Sequence, residues 1–462
     1  MSATDRSWSI APTLLWFTGL LVVSLCVLDG GLGALADRLT AKREAAAPAP
    51  AIGGAPQLTV ADNSDDVVPA VPVLSTMPGG GARGGLIEDV CVEGAVPACK
   101  RWAMDPFYRA VASESAGKLG RAVRVSWYGD SVISADSIPG RLRSRLQAEL
   151  GDGGPGFVYV STPHRFCDHE SVTRTNDGDW ATYAISTVPI ADHLYGPGGS
   201  TAETHGGTAA LKLVSGKVTE VALYYLGQPR GGTAIVSADG DEILRTDTRT
   251  DPKQAARAVA TVAAGGSRFK LETRGRVRLF GVHLENSSGI AVDNLGIVSV
   301  SAKSFLNHDP AHFQRALVQR GADLIMLMIG ANEAHWLGNT ERSATQYQAS
   351  FEKVLAPIRT ARPDAACLVI SPTDQAEASD HGYVSRPVMP KLINAQRAAA
   401  RASGCAFFSL YDWMGGKGSA LRWYKQGLIG SDFTHPSHKG ADTMADALFD
   451  ALMSGYREHA PR

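Results

Sequence analysis

Ser131, Asp432 and His435 are the residues whose types and local spacing best suit nucleophilic chemistry. Ser131 closes the stretch Tyr128-Gly129-Asp130-Ser131, which follows an apolar run (Ala122, Val123, Val125) and precedes a helix-like segment, 134–150. The hydroxyl is therefore expected on the loop where a buried strand ends and a helix begins. There it is held on a rigid scaffold, and nearby backbone N–H groups favour developing negative charge. A serine attacks only when a base takes its proton, and that base must be held in one orientation. The segment Asp432-Phe433-Thr434-His435 offers both, because an Asp and a His three residues apart can share one loop face. Such chemistry requires no metal and no cofactor.

The composition suits a globular enzyme. The 462 residues carry 45 Lys and Arg against 46 Asp and Glu, without a basic block, so nucleic acid is not an expected partner. Residues 10–28 contain no charge and come close to the ~20 residues needed to cross a bilayer. This run is longer than the ~7–15 apolar residues of a signal-peptide core, and an uncleaved signal anchor is the expectation. The alternative is secretion after cleavage near Ala36, within Ala34-Leu35-Ala36. Residues 29–86 read as a linker rich in Ala, Pro and Gly, unable to bury enough apolar surface to fold. Cys91 and Cys99 are placed to close a short disulfide loop in an exported protein, whereas Cys367 and Cys405 lie in apolar runs and read as core residues. Cys167, beside His164 and His169, lacks a second ligand pair at zinc-like spacing.

Two patterns divide the rest. In 87–163 and again in 291–457, apolar strands alternate with helices. Strands are expected at 123–127, 291–298, 323–329, 366–371 and 406–410, and helices at 134–150, 310–320, 345–362, 388–403 and 436–456. Strands with little internal alternation are buried on both faces, which predicts a doubly wound α/β domain with a five-stranded parallel sheet. Between these parts, 165–290 shows short alternating segments separated by Gly-rich turns (Gly231-Gly232, Asp239-Gly240, Gly265-Gly266). That predicts an antiparallel β-sandwich inserted into the α/β domain. Residues 252–262, rich in Ala, read as an exception, a helical turn on a loop.

With a third motif, Gly330-Ala331-Asn332-Glu333 after a buried strand, the chain resembles the SGNH (GDSL-type) hydrolase superfamily. The resemblance covers 100–163 and 291–457, and its three motifs occur in the family's order. It implies a flavodoxin-like sheet with Ser131 as nucleophile, His435 as base, Asp432 as its orienter and Asn332 as an oxyanion donor. A fourth motif departs from the pattern. An ungapped match backwards from Asn332 puts Ser299 where the family has a glycine whose N–H also serves the oxyanion; Gly296 stands three residues earlier. A backbone donor needs no glycine, provided Ser299 reaches the required φ/ψ.

The inserted sandwich and the stretch Gly151-Asp152-Gly153-Gly154-Pro155-Gly156-Phe157 further resemble exported bacterial esterases that deacetylate peptidoglycan, in which a sandwich like a carbohydrate-binding module interrupts the catalytic domain. The resemblance implies an O-acylated cell-envelope glycan as substrate, O-acetyl above all, and a membrane-tethered enzyme with its catalytic domain exported to the periplasm or cell exterior. Two alternatives stay open: an O-acetyltransferase with the same triad, and a non-catalytic envelope glycan-binding protein on a relic hydrolase fold. Other single residues have plainer readings. Asp130 reads as structural, Asp374 as a turn or cap or a pocket residue, and His438 as an exposed helix residue rather than a ligand. Trp180, Tyr183, Tyr224 and Tyr225 read as sandwich core before sugar platform.

Overall fold

The computed structural model describes residues 82, 83 and 85–459. The expected anchor at 10–28 and nearly all of the linker lie outside the described residues. Among the described residues no helix is long and apolar enough to cross a membrane.

The central sheet has five parallel strands: β1 (Val123–Gly129), β2 (Ile290–Gly296), β3 (Leu324–Met328), β4 (Ala366–Ile370) and β5 (Ala406–Phe408). Their spatial order is β2-β1-β3-β4-β5. Alternate residues of each strand serve opposite faces: Leu324, Met326 and Met328 enter one apolar cluster, Ile325 and Leu327 the other. The first face is covered by α1 (Asp105–Ser115), α2 (Ser137–Leu150) and α6 (His438–His459). The second is covered by α3 (Pro310–Arg320), α4 (Glu341–Ala361) and α5 (Met389–Ala402). Burial on both faces explains why the strands read as unbroken apolar runs. In this order the connections reverse direction between β1 and β3, and the crevice at the carboxyl ends of those two strands is where open α/β sheets bind ligands.

Before this sheet, the hairpin Asp89–Ala95 and Ala98–Trp102 is closed by a Cys91–Cys99 disulfide. Glu88 exchanges two backbone hydrogen bonds with Phe407 (2.8 and 3.0 Å), so the chain entering the domain covers the outer edge of β5. Cys367 and Cys405, expected as separate core residues, are also joined as a disulfide, between β4 and the residue preceding β5.

The insert consists of two antiparallel sheets. One contains Gln254–Gly266, Val218–Gly227, Val277–Glu285, Ser200–Thr204 and Ala181–Ala184, with Gly156–Val158 added alongside Val277–Glu285. The other contains Asp241–Asp247, Thr233–Ala238, Arg268–Arg274, Thr208–Leu213 and Val172–Asp177. Residues 252–262 were expected to form a helical turn, and from Gln254 onward they instead lie in the strand Gln254–Gly266. Alanine favours helix locally, but this segment pairs along its length with Val218–Gly227, and the pairing overrides propensity. The helix expected at 134–150 is also divided. Ser131–Ser134 forms a separate turn, because Asp136 takes a left-handed φ of 66° and its buried carboxylate grips Arg143 (2.9 and 3.0 Å).

The seam between insert and sheet is charged. Asp293 of β2 is fully buried and accepts from Ser126 of β1 (2.7 Å), from the Phe157 N–H (3.0 Å) and from Arg320 of α3 (2.7 and 2.8 Å). Arg320 also pairs with Glu285 at the end of the insert, which accepts from Arg124 of β1 (3.0 Å). Burial opposes the charge on Asp293, but Arg320 and His283 outweigh it and hold the carboxyl far below its usual range. Removing one member of such a cluster strands the others as uncompensated buried charge. Asp293→Ala is therefore expected to lower stability by roughly 3–5 kcal/mol. Urea unfolding would read this as one earlier transition shared by sheet and insert; an unchanged midpoint would contradict it.

Candidate active site

The site is assembled at the carboxyl end of β1. The strand turns sharply at Gly129, where a Cβ would lie 2.6 Å from the Ile133 side chain and 2.8 Å from the Met328 carbonyl, so no side chain fits. Asp130 follows, buried, accepting from the Val132 N–H (3.0 Å) while its own N–H donates to Met328 at the end of β3 (3.3 Å). Burial pushes its carboxyl up to about 6. Ser131 is thereby placed in the first position of a helical turn.

Ser131 Oγ lies 2.8 Å from His435 Nε2, and His435 Nδ1 lies 2.7 Å from Asp432 Oδ2. The second oxygen of Asp432 accepts the backbone N–H groups of Thr434 and His435, both at 3.0 Å. Burial works against ionisation of Asp432, but the hydrogen bonds from the His435 ring and these backbone groups prevail and hold it below the usual carboxylate range. The loop between the two residues is anchored by Phe433, buried at a left-handed φ of 55° between Tyr383 and Tyr424 (centroids 4.8 and 5.1 Å away). The His435 and Asp432 side chains are 47% and 53% exposed, so the site opens directly to solvent.

Asn332 follows β3, on the strand adjacent to the one that leads to Ser131, and donates one of its amide N–H groups to the Val300 carbonyl (2.8 Å), leaving the other available. Ser299 precedes Val300 and has φ 61°, in the region that favours glycine. It thus adopts the conformation that its position in the motif demands, with a side chain present. Among the described residues neither the Ser131 nor the Ser299 N–H has a protein acceptor. Gly296 has another use: a Cβ there would meet Ser134 Cα at 2.9 Å and Ile133 at 2.8 Å, so it makes room for the Ser131 turn.

Three supporting residues have no counterpart in the sequence reading. Asn294, buried in β2, donates to the carbonyls of Ile133 and Ser134 (3.1 and 3.3 Å) and closes the far end of the Ser131 turn. Glu333, fully buried, accepts from the Ala302 N–H (2.6 Å) and ties the Asn332 turn to the chain leaving Ser299. Burial pushes its carboxyl up to about 7, with the nearby Asp130 carboxyl adding to the rise. Phe433 is the third. The available signal was a polar residue inside an apolar run for Asn294, and a buried-strand neighbour for Glu333. Asp374 does not line the site: it is buried and accepts from Ser385 Oγ (2.6 Å) and the Gly418 and Ala420 N–H groups (3.1 Å each). Trp180, Tyr224 and Tyr225 pack in or against the apolar clusters of the insert, and His438 is an exposed residue at the start of α6.

A nucleophile, an oriented imidazole and candidate oxyanion donors at adjacent strand ends are the equipment for ester cleavage. Residues 239–443 match the GDSL-like lipase/acylhydrolase family, a stretch that contains Asn332, Asp432 and His435 and begins beyond Ser131. No curated protein sequence matches. A solved structure of a peptidoglycan O-acetylesterase superposes with a TM-score of 0.68 at 25% identity, covering 81% of this chain and 100% of that one. An acetylxylan esterase from Geobacillus stearothermophilus (TM-score 0.26, 16% identity, 36% and 73% covered) and a family two carbohydrate esterase from Clostridium thermocellum (0.26, 12%, 60% and 100%) match too weakly to carry argument. The chain resembles the SGNH, or GDSL-like, hydrolases and is a serine ester hydrolase. Within that class it resembles the peptidoglycan O-acetylesterases.

Ser299 and Glu333 can be tested separately. A left-handed non-glycine residue costs about 1–2 kcal/mol, so Ser299→Gly is expected to keep activity and to gain up to about 1 kcal/mol after the entropy of glycine is charged. Ser299→Val, β-branched, is expected to lose activity about 10²-fold if the Ser299 N–H serves the oxyanion. Melting temperature and kcat together decide; equal kcat in both variants would remove Ser299 from the site. For Glu333, the folded pKa is raised, so the folded state binds more protons than the unfolded one between about pH 4.5 and 7. Its contribution to stability therefore falls as pH rises through that window. Glu333→Gln keeps an acceptor for Ala302 and removes the titration. Urea midpoints at about pH 5 and 8 should show the wild type losing stability relative to this variant; a pH-independent difference would contradict the assignment.

Proposed function

We propose that the protein is an exported serine esterase that removes O-acetyl groups from a cell-envelope carbohydrate. The hydrogen-bonded line Ser131–His435–Asp432, beside Asn332 on the neighbouring strand end, carries this reading. Ser131 Oγ attacks the ester carbonyl as His435 Nε2 takes its proton, while Asp432 holds the ring in the tautomer that can accept it. The oxyanion receives the free N–H of Asn332 and the backbone N–H groups of Ser131 and Ser299. His435 returns the proton to the departing sugar hydroxyl, and water then releases acetate from Ser131 by the same steps.

Resemblance to a peptidoglycan O-acetylesterase over that protein's whole length, insert included, supports the substrate class. The exposed His435 and Asp432 suit a polymer that approaches from solvent. Two disulfides support an oxidising compartment and hence export. The apolar run at 10–28 is proposed as the membrane anchor, with residues 29–86 as the tether. An exposed His435 would serve an incoming sugar hydroxyl as it serves water, so transfer remains the second reading.

Acetate release from O-acetylated peptidoglycan and hydrolysis of p-nitrophenyl acetate test both. Ser131→Ala and His435→Ala are each expected to reduce kcat by at least about 10³-fold on both esters. Equal activity in all three proteins would end the triad assignment. Acetyl groups appearing on an added glycan acceptor, rather than as free acetate, would establish the transferase reading.

A further inference from the structure

Exposed apolar side chains are ordinary when scattered, as most exposed aliphatic residues among the described ones are (Val96, Val188, Val214, Val259, Leu306 and Val318), Val384 alone lying beside an exposed ring, Tyr383. The exposed aromatic rings are not scattered. Among the described residues four Phe, Tyr or Trp side chains are exposed: Phe166 (51%), Trp336 (59%), Tyr383 (39%) and Tyr424 (39%). Each belongs to a segment joined to one part of the site. The Phe166 carbonyl accepts from Ser134 Oγ (3.2 Å), at the end of the nucleophile's turn. Trp336 ends the short helix that begins after Asn332. Tyr383 and Tyr424 flank Phe433, in the loop that carries Asp432 and His435. In the inserted sandwich, by contrast, Trp180, Tyr183 and Tyr225 are partly buried and Tyr224 is buried.

We infer that these four rings form a platform on which a polysaccharide chain lies across the site. The glycan is then gripped by the loops around the nucleophile, and the inserted sandwich does not supply its aromatic contacts. The argument is one of shape and hydration. A pyranose presents a flat face of C–H groups that an aromatic ring covers well, and its hydroxyl groups stay in water at the rim. A ring left in solvent keeps that face available; a ring buried in a sandwich core does not. Arg165 lies over one face of Phe166 (4.7 Å) and the tilted His164 ring beside it (5.2 Å), so a sugar would take the opposite face. His435 and Asp432 are themselves open to solvent, within reach of a chain that approaches from outside. This inference rests on the glycan-esterase reading of the Ser131 site.

The test is a ratio: kcat/KM on O-acetylated peptidoglycan divided by kcat/KM on p-nitrophenyl acetate, measured on the same preparation. Phe166→Ala and Trp336→Ala are each expected to lower the ratio about tenfold, and the double variant to lower it further. Trp336→Phe is expected to recover most of the loss, which a merely structural role would not predict. The small ester reports folding, and Tyr383 and Tyr424 are left in place because they also hold Phe433. A wild-type enzyme that deacetylates peptidoglycan while the double variant keeps the wild-type ratio would overturn the platform alone. A wild type that cleaves only the small ester would overturn the glycan reading and the platform with it.

Discussion

Asp293 is the point from which the rest of the site is held. It pairs in register with Ser126 of β1 and accepts that residue's hydroxyl, so β2 cannot slide along β1 without breaking a buried charge-assisted bond. Five residues beyond Ser126 the chain reaches Ser131, and six beyond Asp293 it reaches Ser299. The relative height of Ser131 and Ser299 is therefore fixed in part by one carboxylate. That carboxylate stays charged because Arg320 faces it from α3. A buried ion pair is seldom a source of net stability. Here its geometric consequence is the useful one, since a one-residue slip would turn every side chain of β2 to the wrong face.

On this fixed sheet the loops carry strain. Ser299 and Phe433 both occupy left-handed conformations that non-glycine residues rarely adopt. Each is over-determined by its surroundings. The Ser299 turn hangs from Gly129 through the Ile297 N–H (3.1 Å) and is stitched to β3 through Asn332 and Val300. Phe433 is clamped between two tyrosine rings. Strain of this kind persists only where packing enforces it. It accompanies a Ser299 N–H with no protein acceptor in one loop, and a carboxylate of Asp432 hydrogen-bonded to the His435 ring in the other.

Much of this was legible in the sequence because local pattern and tertiary role agree. Apolar runs followed by Gly129-Asp130-Ser131 or Gly330-Ala331-Asn332 announce a buried strand ending at a functional turn, and the helices of the α/β part follow ordinary amphipathic spacing. The departures arise where a contact distant in sequence overrules local preference. The alanines of Gln254–Gly266 become a strand because Val218–Gly227 needs a partner. The expected single helix breaks at Asp136 because Arg143 and the Glu170 N–H converge on its carboxylate. Cys367 and Cys405 read as two apolar core residues, and only the adjacency of β4 and β5 brings their sulfurs together. Asn294 and Glu333 were visible as polar exceptions in apolar surroundings, but nothing local says which carbonyl or N–H such a residue will meet.

The insert reads in sequence as a sandwich set into the α/β domain, and its buried contacts tie it firmly to that domain. Glu285 and His283, on its last strand, are buried against Arg320 and Asp293 of the hydrolase domain. Gly156–Val158, reached directly from α2, is hydrogen-bonded into the insert's sheet, and Phe157 donates to Asp293 itself. A module that shares a buried ion cluster with its host cannot swing on a linker, because separation would expose or strand several charges at once. Whatever the sandwich contributes to selecting a substrate, it contributes as a fixed wall of known position. On the platform reading, selection by contact falls to exposed rings on the loops of the α/β domain and the short segment around Phe166.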